Sequence, residues 1–285
     1  MSQAEHNPAN YCYRHPDRES YVLCQRCGRT ICPECQTQAA VGVHCPECTR
    51  EARQSTPRTK PAIVTAIRSA GRSGAPVVTY SLIAFCVLAY ILQLVTGGTN
   101  GLVTNLFVYY PPYTATQPWR MVTTIFLHAS VLHILFNMYS LFIFGPIMEQ
   151  LLGRARFLAL FFLAGFGGSV AVLLIAPNVA VLGASGAIFG LFTGFFVIQR
   201  RLGGNSNQLL VLIVINLVIG FIPGLGIAWQ AHVGGLVVGA AVAWIFTRTR
   251  NRTQRVEQFL MLGGVAVALI ALTVVGVALM PGRLG

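Results

Sequence analysis

The chain has 285 residues, 54% of them hydrophobic and only 10% charged, a balance outside the range of soluble globular domains. Its net charge of +12 would suit nucleic acid, but the basic residues sit mostly in one linker and between apolar runs, where the positive-inside rule places them. A membrane therefore accounts for the charge, and no nucleic acid partner is expected.

Up to about Arg72 the chain is polar and rich in cysteine, and seven of its eight cysteines lie between Cys12 and Cys48. They fall into pairs with two intervening residues: Cys12 and His15, Cys24 and Cys27, Cys32 and Cys35, Cys45 and Cys48. That gap lets both side chains of a tight turn reach one metal, so eight ligands suit two tetrahedral zinc ions. Interleaving predicts Cys12, His15, Cys32 and Cys35 on one zinc, with Cys24, Cys27, Cys45 and Cys48 on the other. Sequential pairing is an alternative, as is His44 in place of Cys45. The first sixty residues hold no apolar h-region, so the segment is expected on the cytoplasmic side, where reducing conditions favour metal over disulfides. Its apolar content is too small for a core, so metal supplies the stability and zinc is structural. The pattern resembles B-box-type zinc domains, although a B-box usually ends in histidines where this one ends in Cys45 and Cys48. That resemblance implies a protein partner rather than catalysis.

The expected organisation is a zinc-binding domain over 1–50, a basic linker over 51–75, a membrane core over 76–250 and a further span over 251–285. The linker carries Arg50, Arg53, Arg58, Lys60, Arg68 and Arg72, which either attract anionic lipid headgroups or act only as a topology signal. Seven apolar runs approach the roughly 20 residues needed to cross a bilayer: 76–96, 129–149, 156–176, 183–200, 208–224, 227–247 and 258–280. Basic clusters follow the second, fourth and sixth, which predicts a cytoplasmic N-terminus and an outside C-terminus. The loop from Gly97 to Pro118 then lies outside, with Tyr109, Tyr110, Tyr113 and Trp119 suited to the interface.

Lipid penalises polar groups, so those within spans are functional candidates. They are His133, Asn137, Ser185, Asn216, Gln230 and His232, with His128 at the start of span two. Counting from the cytoplasmic ends at about 1.5 Å per residue puts Ser185 about 22 Å up, His232 and His133 about 24 Å and Asn137 about 18 Å. Three helices thus place serine, histidine and a histidine–asparagine pair in one layer. His232 is suited to act as base for Ser185, and no carboxylate in the outer half of a span completes a triad. His133 and Asn137, four apart, share a helix face and can donate to an oxyanion, as can the free N–H of Ser185. Gly183, Gly186, Gly190 and Gly194, against Gly234, Gly235 and Gly239, would let the two helices approach closely. A metalloprotease using His128 and His133 is set aside, because five residues place them on different helix faces without a third ligand.

Together, His128-x4-His133-x3-Asn137, the Gly183-Ala184-Ser185-Gly186 turn and Ala231-His232-x2-Gly235 resemble the rhomboid intramembrane protease signature. Trp119-Arg120 and Glu149-x3-Gly153-Arg154-x-Arg156-Phe157 add to it. The resemblance implies an all-α polytopic fold, with a six-helix core and here a seventh helix. It implies Ser185 as nucleophile and His232 as general base and acid, with no cofactor for catalysis. His133, Asn137 and the Ser185 amide would hold the oxyanion, with Phe189 packed under His232 and Trp119-Arg120 in a lateral loop. The implied substrate is a single-span membrane protein cut near its outer end, entering past span five, whose outer end carries Pro223 and Gly224. A catalytically inactive relative that binds membrane clients is the alternative.

Overall fold

A computed structural model describes residues 7–39, 41–55, 74–222 and 226–280. Arg58, Lys60, Arg68 and Arg72 of the linker, and Pro223 and Gly224 of the expected gate, lie outside the described residues. The chain divides into two units, Met1–Thr59 and Lys60–Gly285.

In the first unit, β1 (Tyr11–Cys12) pairs with β2 (His15–Glu19) and β3 (Thr37–Gln38) with β4 (Val43–His44), both antiparallel, before α1 (Pro46–Ser55). Its interior consists of Cys12, Cys24, Cys32, Cys35, Cys45 and Cys48 around Ile31, with Tyr13 and Val43 packed against them. So few aliphatic carbons cannot offset the entropy of ordering the segment, and the sulfur atoms occupy the space a core would fill. Helix α1 runs on through residue 50, where the first domain was expected to end.

The second unit is helical. Its six-helix core comprises α2 (Val77–Val95), α5 (Val131–Leu152), α6 (Arg154–Ile175), α7 (Ser185–Arg201), α8 (Asn207–Ile219) and α9 (Trp229–Arg248). Short helices α3 (Leu102–Phe107) and α4 (Arg120–Thr123) lie in the connection after α2, and α10 (Arg255–Leu279) is the seventh long helix. Every expected span has its helix. Helices α2, α5, α6, α9 and α10 are long and apolar enough to cross a membrane, and with large exposed apolar side chains such as Phe136 and Phe259 they mark a multi-pass membrane protein. Helices α7, with 17 residues, and α8, with 13, are shorter than expected. The chain enters α7 through a non-helical stretch, 176–184, and α8 gives way to a turn at Gly220 instead of continuing to 224.

Irregular backbone at membrane depth survives only where protein satisfies its polar groups. Here Val181 N–H donates to Tyr109 O (2.8 Å), Tyr109 N–H donates to Val181 O (3.2 Å), and Gly183 N–H donates to Thr124 O (3.0 Å). This bridge overturns the expectation that Tyr109 lies at the interface. Tyr109 is fully buried, because its main chain pairs with Val181, and its hydroxyl lies 3.0 Å from Thr114 Oγ1. Trp119 does face outward, whereas its neighbour Arg120 is buried and donates to Val108 O at 3.0 Å.

Helices α6, α7 and α9 meet with almost no side chain between them. A Cβ on Gly235 would stand 2.0 Å from Gly186 O, one on Gly239 2.4 Å from Gly190 Cα, and one on Gly234 2.3 Å from Gly167 O. Thr193 on α7 donates to Leu236 O on α9 at 3.1 Å, adding a polar tie across the same seam. In the first turn of α10, Gln258 donates to Thr249 O (3.1 Å) and accepts from Arg156 Nε (2.9 Å), which fastens the seventh helix to the core.

A buried carboxylate starts α2, whose N-cap Pro76 offers no side-chain cap. Glu149 of α5 accepts from Val78 N–H (3.1 Å), Thr79 N–H (2.8 Å) and the Thr79 hydroxyl (2.8 Å). Such bonds satisfy free helix-start donors and complement the helix dipole. Glu149→Gln would turn an N–H toward these donors. It is expected to cost about 1.5–3 kcal/mol, seen as a lower unfolding temperature in detergent; an unchanged temperature would contradict the capping role.

Candidate active site and metal centres

Ser185 is the first residue of α7, and His232 is the fourth of α9. The glycine seam brings them together: Ser185 Oγ lies 2.9 Å from His232 Nε2. Phe189, one turn along α7, stacks on the His232 ring with centroids 4.1 Å apart and planes 13° from parallel. Its ring fixes the plane of the imidazole, a task that needs no hydroxyl. His232 is buried, and its Nδ1 has no hydrogen-bond partner among the described residues. The arrangement is a pair held by packing.

The opposite wall comes from α5. Ser130 caps this helix, its side chain accepting from His133 N–H at 3.2 Å. Ala129 N–H donates to His133 Nδ1 at 3.3 Å, so the neutral ring carries its proton on Nε2. That nitrogen stands 2.7 Å from where a Cβ on Gly183 would be, and Gly183 has φ +130°. Both facts require glycine two residues before Ser185. Asn137 donates to His133 O at 2.8 Å and has a second N–H, while its Oδ1 has no partner among the described residues. As the first residue of α7, Ser185 also keeps its backbone N–H outside the helix ladder. A proton acceptor at a hydroxyl, with the N–H donor of His133 set against Gly183 two residues away, is chemistry suited to acyl transfer.

The family model described as Rhomboid domain matches residues 115–249. Rhomboid protease GlpG of Yersinia pseudotuberculosis is 34% identical over 192 residues, covering 64% of this chain and 67% of that protein. The chain belongs to the rhomboid family. Two other relatives are matched over a smaller share of their length. Rhomboid protease GluP of Bacillus subtilis is 32% identical, over 59% of this chain and 34% of its own. RHOMBOID-like protein 6, mitochondrial, of Arabidopsis thaliana is 34% identical, over 45% and 44%. The chain therefore spans less than half the length of these two. The matched segment of this rhomboid chain contains His128, His133, Asn137, Gly183, Ser185, Phe189 and His232, while the cysteine-rich unit lies outside it.

Not every polar residue in a span joins the layer. Asn216 donates to Leu212 O within α8 at 2.8 Å, and Gln230 is a half-buried residue at the start of α9. His128 precedes α5 rather than lying on it, so its ring meets that of His133 edge to face at 5.2 Å, which the helix-face argument against their contact did not foresee. Gln93 of α2 was missed, although an amide in an apolar span is itself a signal. It is buried, accepts from His128 N–H (3.0 Å) and donates to Thr104 Oγ1 (2.9 Å).

In the first unit the ligand atoms gather as the interleaved pattern requires. Cys12, His15, Cys32 and Cys35 form one group and Cys24, Cys27, Cys45 and Cys48 the other, with all donor atoms of a group within 4.8 Å of one another. His44 is in neither group. Tetrahedral bonds to a metal at about 2.3 Å for sulfur and about 2.0–2.1 Å for nitrogen imply about 3.8 Å between sulfurs and about 3.6 Å from sulfur to nitrogen. Cys27 and Cys45 Sγ are 3.8 Å apart, and His15 Nδ1 is 3.8, 3.4 and 3.5 Å from Cys12, Cys32 and Cys35 Sγ. The residues fit. The Arg29 guanidinium donates to Cys27 Sγ (3.3 Å) and, with the Arg29 N–H, holds that thiol down to about 6, close to the thiolate a metal needs. The purified protein is expected to hold two metal ions per chain by atomic emission, and Cys32→Ser about one; near zero with intact thiols would contradict the assignment.

Proposed function

We propose that this rhomboid is an intramembrane serine endopeptidase, and the observation that carries the reading is the 2.9 Å contact between Ser185 Oγ and His232 Nε2. His232 takes the hydroxyl proton as Ser185 attacks a substrate carbonyl carbon. The resulting oxyanion is met by His133 Nε2–H, the free Asn137 N–H and the Ser185 amide. Collapse expels the amine, which takes the proton from His232, and water repeats the sequence to release the acid. Phe189 keeps the imidazole plane constant through both halves.

The substrate is a single-span membrane protein cut near the outer face, at small or helix-breaking residues where the strand can expose its carbonyl. It enters beside α8. Only Leu209 and Ile213 are buried on that helix, so it can move at small cost in packing. The N-terminus is cytoplasmic and the C-terminus outside, as the basic clusters Arg154/Arg156, Arg200/Arg201 and Arg248/Arg250 favour. The two metals are zinc, chosen by sulfur-rich tetrahedral sites with no open position. When bound, zinc supplies folding energy to the first unit, leaving its surface for a protein partner, while the basic linker favours anionic lipid headgroups.

The test is cleavage of a single-span substrate by detergent-solubilised protein. Ser185→Ala and His232→Ala are each expected to lower the rate by about 10⁴-fold or more. Cutting at the wild-type rate by either variant would sink the dyad, and a wild type that binds but never cuts would favour the client-binding alternative.

A further inference from the structure

An oxyanion donor works only if it presents an N–H and not a lone pair, so the tautomer of His133 is as important as its position. That tautomer is set by Ala129, whose N–H occupies Nδ1 at 3.3 Å and leaves the proton on Nε2, over Gly183. Ala129 belongs to a short non-helical stretch between Leu127 and α5, and its own conformation needs an anchor. The adjacent residue supplies one. His128 N–H is buried and donates to Gln93 Oε1 at 3.0 Å, across 35 positions of sequence. Gln93 is itself 1% exposed, and its amide is held at the other end, where Nε2 donates to Thr104 Oγ1 at 2.9 Å. The Thr104 hydroxyl donates in turn to Gly98 O at 2.8 Å, so its lone pair faces Gln93 and the amide cannot flip without losing a bond.

We infer that Gln93 is a positioning residue for the oxyanion donor: it fixes the 128–130 backbone, and through Ala129 the Nε2–H form of His133. This rests on the reading of His133 as donor given above. The order of bonds is Gly98 O, Thr104 hydroxyl, Gln93 amide, His128 N–H, then one residue on to Ala129 N–H and His133 Nδ1. A buried amide held by a specific bond at each end is oriented, and simple space-filling would not need its polarity. A methionine at 93 would fill the same volume and offer no acceptor, leaving His128 N–H buried and unpaired. The 128–130 stretch would then shift and His133 would sample the other tautomer.

The experiment compares wild type, Gln93→Met, Gln93→Glu and Thr104→Val in detergent with one single-span substrate. Ser185→Ala runs beside them: if wild type cuts no better than Ser185→Ala, the protease reading fails first. If wild type cuts, Gln93→Met is expected to lose about tenfold in kcat with KM within about twofold, less than the 10²–10³-fold that outright loss of one oxyanion donor costs. Gln93→Glu keeps the acceptor and is expected to recover most of the rate. Nitrogen-15 spectra of the His133 ring should show the Nε2–H form in wild type and a tautomer mixture in Gln93→Met. Unchanged kcat in Gln93→Met overturns the inference, as does a rate loss matched by Gln93→Glu or accompanied by an unchanged tautomer. Should Gln93→Met not fold, Thr104→Val decides: a lower kcat with a tautomer mixture upholds the inference, and wild-type values for both overturn it.

Discussion

A hydrogen bond between a serine on one transmembrane helix and a histidine on another requires the two backbones to approach more closely than side chains normally permit. Lipid offers no hydrophobic force to press helices together, so close approach has to come from van der Waals contact between small residues. In this chain the contact runs along Gly186 and Gly190 on α7 and Gly235 and Gly239 on α9, where any Cβ would stand 2.0–2.4 Å or so from partner backbone at Gly235 and Gly239. The pair Ser185–His232 sits at one end of that seam, at the start of both helices. Phe189, one turn after Ser185, then closes the remaining freedom by lying flat against the imidazole. The reactive geometry follows from the absence of side chains next to it.

The second requirement is a polar wall opposite the serine; His133 and Asn137 supply it from α5, and non-helical backbone brings Gly183 against it. Residues 176–184 and the connection from α3 to α5 would be unacceptable in hydrocarbon, but each satisfies the other through the Tyr109–Val181 bridge and the Gly183–Thr124 bond. These bonds place Gly183 under the His133 ring, so the strained glycine and the oriented histidine define one small gap. The cysteine-rich unit obeys another logic. Two groups of four Cys/His side chains stand where a small domain has no apolar core, and their donor spacings suit a shared metal ion rather than disulfides.

Much of this was legible in the sequence because it depends on short-range spacing. Cys-x2-Cys pairs, apolar runs of twenty, a four-residue offset from His133 to Asn137 and the repeated glycines are local patterns with a direct physical meaning. The order of the Cys and His pairs suggested interleaving but left sequential pairing open, and the structure groups them in the interleaved way. What escaped depends on pairings distant along the chain. Tyr109 reads as an interfacial aromatic until Val181 is seen to pair with its backbone. Glu149 reads as the end of a span until Val78 and Thr79 are found bonded to it. Gln93 is a lone amide in an apolar run, and only its contact with His128 gives it meaning. Helix ends were misplaced for a similar reason: α7 begins where an irregular segment is clamped, and α8 ends at a local turn at Gly220.

The central claim is that Ser185 is an activated nucleophile whose reactivity depends on His232. Exposure of the folded protein to a fluorophosphonate, followed by peptide mass mapping, tests this without knowledge of any substrate. One adduct is expected, on Ser185, formed in the wild type and lost in His232→Ala although the serine is still present. No adduct on Ser185, or one that forms as quickly without His232, would contradict the account.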